Sequence, residues 1–305
     1  MPSLRSRLFK LLVRRMNFLF QITGDLAETR RRTDLAAKLL PIPRGVSVRP
    51  AESGGIPGEW IVPKGAPFGR VLLYIHGGGF VFCSTATHRA LVARLAIASG
   101  IRAFSMDYRL APEYPFPAAL DDCLAAYRGL REGGIEPGGI VVAGDSAGGN
   151  LALTLLLALR RAGEPLPAAA VCLSPVTDLA FTGESARAKV GIDPIFPAGA
   201  SSPMASSIRS DYVASGDPYH ELISPLYADW RGLPPILLHV GEDEILLDDS
   251  VRVAEKARSA GGRAELVVWR GMWHVFQVFA PFLPEAEQSI RQIGKFIREA
   301  LPRNP

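Results

Sequence analysis

The chain has 305 residues, 48% of them hydrophobic, and a formal net charge of +4. That is enough apolar material for one large α/β domain with an appendage, or for two smaller domains, and it excludes global disorder. The mild positive charge brings no Lys/Arg run interleaved with aromatics beyond the N-terminal segment, so nucleic acid is not an expected partner.

No window of about 18 uncharged apolar residues occurs, so no transmembrane span is expected. Cys83, Cys123 and Cys172 form no CxxC pair. They read as reduced, buried thiols of a cytoplasmic protein. No Cys/His cluster has ligand spacing, so no metal is expected.

Residues 1–45 read as helical. From Leu4 to Phe20 the chain is basic and apolar, with Leu4, Leu8, Leu11, Leu12 and Arg15 at helical spacing. Arg14 and Arg15 interrupt the apolar stretch and no small-residue cleavage site follows, which argues against a signal peptide. This amphipathic helix fits two readings: attachment to a membrane surface, or a lid lying on its own protein, the commoner use of such a helix. A second helix runs from Asp25 to Leu40, and Pro41-Ile-Pro43 stops it. Val46–Arg49 and Glu59–Val62 are short strands, with Gly54-Gly55 and Pro57-Gly58 between them. They predict an antiparallel hairpin.

Strands and helices then alternate. The strands are Val71–Ile75, Ile101–Met106, Ile140–Ala143, Ala169–Leu173, Pro235–Val240 and Ala264–Trp269. The helices are His88–Ser99, Ala118–Arg131, Ala147–Ala162, Asp248–Ala260 and Pro284–Leu301. This alternation predicts a mostly parallel sheet with both faces covered, whose site lies beyond the carboxyl ends of the strands. Residues 178–227 break the pattern. They read as an inserted lid with short helices, such as Ala198–Val213.

Four chemistry-bearing stretches fall at strand ends. After Ile140–Ala143 comes Gly144-Asp145-Ser146-Ala147-Gly148, a G-x-S-x-G turn between strand and helix. Such an elbow exposes its serine, and Gly144 and Gly148 keep Cβ atoms out of the crowded turn. After Val71–Ile75 comes His76-Gly77-Gly78-Gly79-Phe80. Three bare backbone units can bring N–H groups close to a developing oxyanion, joined by the N–H of Ala147. A phosphate loop is the other use of such glycines, but no Lys follows at P-loop spacing.

The base is expected after the last strand, at His274, because the fold's chain order is Ser, acid, His. His76 reads as a loop anchor, His88 as a helix-start residue, His220 as part of the lid and His239 as a core histidine. The acid is expected after Pro235–Val240, where Glu242-Asp243-Glu244 precedes Asp248 and Asp249. The last two suit the helix start, which leaves Asp243 and Glu244 to compete.

HGGGF (76–80), Asp107-Tyr-Arg-Leu-Ala-Pro-Glu113 and GDSAGGN (144–150), in order, resemble the hormone-sensitive-lipase-like (family IV) branch of the α/β-hydrolases. The resemblance spans roughly residues 46–305. It implies an α/β-hydrolase fold with an eight-stranded sheet flanked by helices and a helical cap. Residues 46–177 and 228–305 would form the core, with 1–45 and 178–227 as the cap.

It also implies a serine carboxylesterase for short- to medium-chain esters, with Ser146, Glu244 and His274 as the triad and Asp243 as the alternative acid. Glu244 falls where the family usually has Asp. The oxyanion glycines map onto Gly78 and Gly79, with Gly77 adjoining. Asp107–Glu113 would shape the site wall and support the oxyanion loop. Phe80, Phe82, Trp273 and Phe276 would lie near a pocket for a small hydrophobic ester.

No metal or organic cofactor is needed, and a homodimer is left open. The alternatives are an amidase or deacetylase on the same triad, and a non-catalytic binding homologue.

Overall fold

In the computed structural model, residues 2–15, 25–37, 39–201, 205–206 and 208–302 are described. The first helix, α1, covers Leu4–Arg15, and α2 covers Leu26–Ala37. Of the N-terminal helical stretch, 16–24 and 38 lie outside the described residues, as do 202–204 and 207 of the lid helix expected over 198–213. On the two sides of that gap the chain forms a 3-10 turn, Gly199–Ser201, and a π-helical segment, Ile208–Val213.

Eight strands form one sheet. They are β1 Val46–Ser53, β2 Ile56–Pro63, β3 Val71–Ile75, β4 Arg102–Met106, β5 Ile140–Asp145, β6 Ala169–Leu173, β7 Ile236–Gly241 and β8 Ala264–Trp269. Their order is β1-β2-β4-β3-β5-β6-β7-β8. The hairpin β1–β2 is antiparallel and meets β4 antiparallel. Every other pair is parallel. Helices α3 (Thr85–Ser99), α4 (Ala118–Glu132) and α5 (Ala147–Arg161) are the crossovers, followed by Leu247–Ser259 and Pro284–Ala300.

The middle strands explain why this order is stable. All residues of β3, β4, β5 and β6 are buried, as strands covered on both faces must be. The Val, Ile and Leu of β3 and β5 suit that position, and β4, with Arg102 and Ser105, is the more polar of the four. In β8 the residues alternate less strictly and several are half-buried, in keeping with its place at the sheet edge.

Parallel pairing fixes which residues meet beyond the sheet. Ile75 at the end of β3 pairs with Gly144 of β5, and Gly241 at the end of β7 pairs with Trp269 of β8. The loops after β3, β5, β7 and β8 therefore open on one edge. At the β5 turn the chain is packed to its limit: a Cβ on Gly148 would sit 2.0 Å from the Ile75 carbonyl oxygen, and one on Gly144 would sit 2.3 Å from Gly148.

Gly148→Ala should therefore destabilise the protein by about 1–3 kcal/mol or more, the usual cost of overpacking. The measurement is a shift of the urea unfolding midpoint, and an unshifted midpoint would mean that the turn has room to spare.

Candidate active site

Ser146 sits between β5 and α5 with φ 52° and ψ −118°, a backbone conformation that L-residues avoid and that marks stored strain at functional turns. The turn holds because its neighbours leave no alternative. The Ser146 N–H donates to the Leu173 carbonyl at 2.8 Å, and the glycines on both sides accept the crowding. Ala147 begins α5, so its N–H is one of the unpaired donors of a helix start.

The glycine loop divides its N–H groups. Gly77, expected with its neighbours to face the oxyanion, donates its N–H to Asp145 Oδ1 (3.1 Å). That donor is already used, which removes Gly77 from the oxyanion set. Gly78 and Gly79 line the cavity that Ser146 borders. Gly78 has φ +107°, and a Cβ there would meet the Phe82 carbonyl oxygen at 2.1 Å, so only glycine fits. No acceptor for the N–H of Gly78, Gly79 or Ala147 occurs among the described residues.

Glu244 and His274 meet. His274 Nδ1 lies 2.8 Å from Glu244 Oε2, and Glu244 is fully buried. The other carboxylate oxygen accepts from Ser174 Oγ at 2.8 Å and from the Gly241 N–H. A carboxylate that accepts on every side fixes the proton on Nδ1 and leaves Nε2 as the free base. Burial disfavours the His274 cation, but the Glu244 hydrogen bond and charge, with Asp193 and Asp145 behind them, outweigh it and raise its pKa above the usual histidine value. Asp243 turns the other way and pairs with Lys10 on α1.

The other histidines serve the frame. His76 stacks on Tyr108 with ring centroids 4.4 Å apart, and burial beside His88 lowers its pKa to about 4. His239 is a core residue between Ser289 and Trp269, and burial lowers its pKa to about 3. His220 accepts from the Leu222 N–H. His88 departs from the expected helix-start role: although in the first turn of α3, it is buried and bonds Asp145 Oδ2 at 3.1 Å. Burial works against its cation, and the Asp145 charge more than offsets this. Asp145 also accepts from Tyr74.

The Asp107–Glu113 stretch supports the glycine loop as expected: Tyr108 donates to the His76 carbonyl and the Ala111 N–H to that of Phe80. Asp248 and Asp249 lie in the first turn of their helix, and their carboxylates also accept from the N–H groups of Ser185 and of Thr177 and Asp178.

Asp193 and Ser174 were not legible in the sequence as part of this site. Asp193 is buried in the insertion. Its Oδ1 accepts from the N–H groups of Ile195 (2.8 Å) and Phe196 (3.2 Å), and its Oδ2 from Ile245 (3.1 Å), next to Glu244. It thereby ties the insertion to the acid loop and holds Phe196 edge-on to His274, with centroids 4.9 Å apart. Burial, and then the nearby Glu244 charge, raise its pKa to about 6 against the pull of His274. Ser174 Oγ accepts from the Val275 N–H at 3.1 Å while donating to Glu244. A D-x-I-F or a lone serine carries no pattern that would mark these partners.

The cavity has a volume of about 470 Å³, within the range of small-molecule sites. Phe9, Phe82, Phe196, Phe279 and Phe282 line it, together with Ser146 and His274. Of the aromatics expected there only Phe82 does so. Phe80 is buried against Tyr212, Trp273 backs Phe9, and Phe276 packs on Trp269. On the other side of Ser146 and Phe196 is a cleft of only about 20 Å³, closed by Val176, Phe181 and Leu246. Cys83 is half-buried and borders the large cavity, unlike the fully buried Cys123 and Cys172. No group of metal-ligating side chains occurs among the described residues, and no described helix is long and apolar enough to cross a membrane.

The sequence profile of the alpha/beta hydrolase fold matches residues 72–278. A solved esterase of the bacterial hormone-sensitive lipase family superposes with a TM-score of 0.92 at 41% identity, covering 99% of this chain and 100% of that one. The chain belongs to the hormone-sensitive-lipase-like α/β-hydrolases. As a member of that family it is a carboxylic ester hydrolase. Among curated relatives, an acetyl-hydrolase of Streptomyces hygroscopicus is 43% identical over 79% of each chain. An esterase of Acinetobacter venetianus is 39% identical over 86% of each. The matched profile stretch, 72–278, includes Ser146, Glu244 and His274 of this hydrolase.

With its pKa raised, His274 should be free to act as a base only at higher pH than an ordinary histidine, so the acid limb of kcat/KM should lie above about 6.5. Asp193→Asn keeps the side-chain shape and removes a negative charge near the ring. The limb should then move to lower pH, with a smaller loss of kcat than Glu244→Gln. A pH profile identical to wild type would show that Asp193 does not act on His274.

Proposed function

We propose that Ser146, His274 and Glu244 carry out the ester hydrolysis through an acyl-enzyme. The observation that carries this reading is the strained Ser146 on the wall of an apolar cavity shared with a histidine whose Nδ1 is held by a buried carboxylate. Ser146 Oγ attacks the ester carbonyl carbon as His274 Nε2 takes its proton. The N–H groups of Gly78, Gly79 and Ala147 receive the negative oxygen, and each such donor is typically worth about 10²–10³ in rate. The tetrahedral intermediate collapses, the C–O bond to the alcohol breaks, and His274 gives its proton to the leaving oxygen. Water then attacks the acyl carbon with its proton passing to His274, and Ser146 leaves with that proton as the carboxylic acid departs.

The walls propose the substrate: an ester with one short substituent in the 20 Å³ cleft and one larger apolar group in the 470 Å³ cavity. Short- to medium-chain carboxylic esters fit that asymmetry. We read residues 1–45 and 178–227 as a cap over a core of 46–177 and 228–305, supported by the cavity walls that Phe9, Leu40 and Phe196 contribute. The three free thiols support a reducing, cytoplasmic setting.

Hydrolysis of p-nitrophenyl butyrate tests the roles. Ser146→Ala should lose at least about 10⁴-fold in kcat and Glu244→Gln about 10⁴-fold, each measured well below the variant's own unfolding midpoint. Asp243→Asn should remain near wild type, since its carboxylate pairs with Lys10 and makes no bond to His274. A larger loss for Asp243→Asn than for Glu244→Gln would reassign the acid. Faster turnover of a matched anilide than of the ester would favour an amidase.

A further inference from the structure

The expected lid and the expected surface helix turn out to use opposite faces of α1. Ser6 and Val13 are buried and Phe9 packs on the core. The other face carries Leu4, Leu8, Leu11 and Leu12, which at 3.6 residues per turn share an arc of about 100°. These leucines are 77%, 69%, 57% and 46% exposed. Single exposed leucines are ordinary, but a contiguous stripe marks an interaction surface. The stripe runs into the active-site cavity, because Leu12 and the 79%-exposed Leu39 both line its wall.

Charge says what the surface fits. α1 contains Arg5, Arg7, Lys10, Arg14 and Arg15 and no acidic residue, more positive charge than the net +4 of the whole chain. Lys10 is taken up by Asp243, and Arg14 by the carbonyls of Gly191 and Ile192. Arg5, Arg7 and Arg15 flank or interrupt the leucines and have no ion pair among the described residues. A second copy of this chain seated on the same face would bring these arginines together. An anionic lipid surface accepts both components, leucines into the acyl boundary and guanidinium groups among the headgroups.

We propose that the outer face of α1 docks on an anionic lipid surface and sets the mouth of the cavity against it. An ester with an apolar, medium-length tail then passes from the surface into the cavity without crossing water. Delivery rests on the reading of Ser146 as nucleophile, while docking does not.

The test is flotation of the full chain with vesicles of phosphatidylglycerol and phosphatidylcholine, against phosphatidylcholine alone. The bound fraction should be at least about tenfold higher on the anionic vesicles and should fall as salt is raised. Leu4→Gln/Leu8→Gln/Leu11→Gln should abolish binding, and Arg5→Gln/Arg7→Gln should weaken it, both with unchanged turnover of dissolved p-nitrophenyl butyrate. Ser146→Ala should float like wild type, which separates docking from chemistry. Equal flotation of wild type and the leucine variant would overturn the proposal. So would a dimer by light scattering that dissociates in that variant, since the stripe would then belong to a second copy.

Discussion

Glu244 is fully buried, and a carboxylate removed from water is stable only where hydrogen-bond donors replace it. The donors come from three places: the Gly241 N–H at the end of β7, Ser174 beyond β6, and His274 after β8. Meeting that one requirement brings together loops that are far apart in sequence. Ser174 reaches further and receives the Val275 N–H, so the residue that follows the histidine is fixed by the same oxygen network. The histidine ring then has one orientation and one tautomer, and Ser146, held in its strained turn, lines the same cavity. Neither half would be of use without the parallel register that aligns the strand ends.

The insertion and the N-terminal helix reach this centre through its supports. Asp193 bonds the backbone next to Glu244 and sets Phe196 against the imidazole. Lys10 bonds Asp243, and Phe9 stacks on Trp273, the neighbour of His274. The walls of the cavity and the alignment of the acid and histidine loops are thus coupled by contact. A change in how the wall packs is felt at the ring, because close-packed interiors transmit displacement instead of absorbing it.

The sheet was legible because its signal is local. Apolar β-branched runs and helical spacing are set within a few residues, and β6 and β8 have the limits expected from the sequence. Ser146, the glycine loop and the histidine loop were legible because strand-end chemistry needs particular residues at particular offsets. Long-range pairings were not. Nothing near His88 announces that Asp145 lies across the loop, and nothing near Asp193 announces Ile245. The orientation of α1 was equally hidden: its leucines form the stronger apolar stripe, yet Ser6 and Phe9 face inward because Glu285 and Trp273 happen to await them. Gly77 shares its residue type with its neighbours, and only the position of Asp145 distinguishes its N–H from theirs.

The contact between Ser3, Ser6 and Glu285 joins positions 282 and 279 residues apart, and α1 contributes Phe9, Leu12 and Val13 to the cavity wall. On a ribosome α1 must therefore wait for the helix Pro284–Ala300. The elbow and the glycine loop can form once β3, β5 and β6 have been synthesised, but the chamber around them cannot close until Glu285 has emerged. Through that interval the newborn chain carries the inner face of α1, Phe9 and Val13 included, unshielded as well as the outer, and the cavity closes only when α1 and the helix Pro284–Ala300 have met.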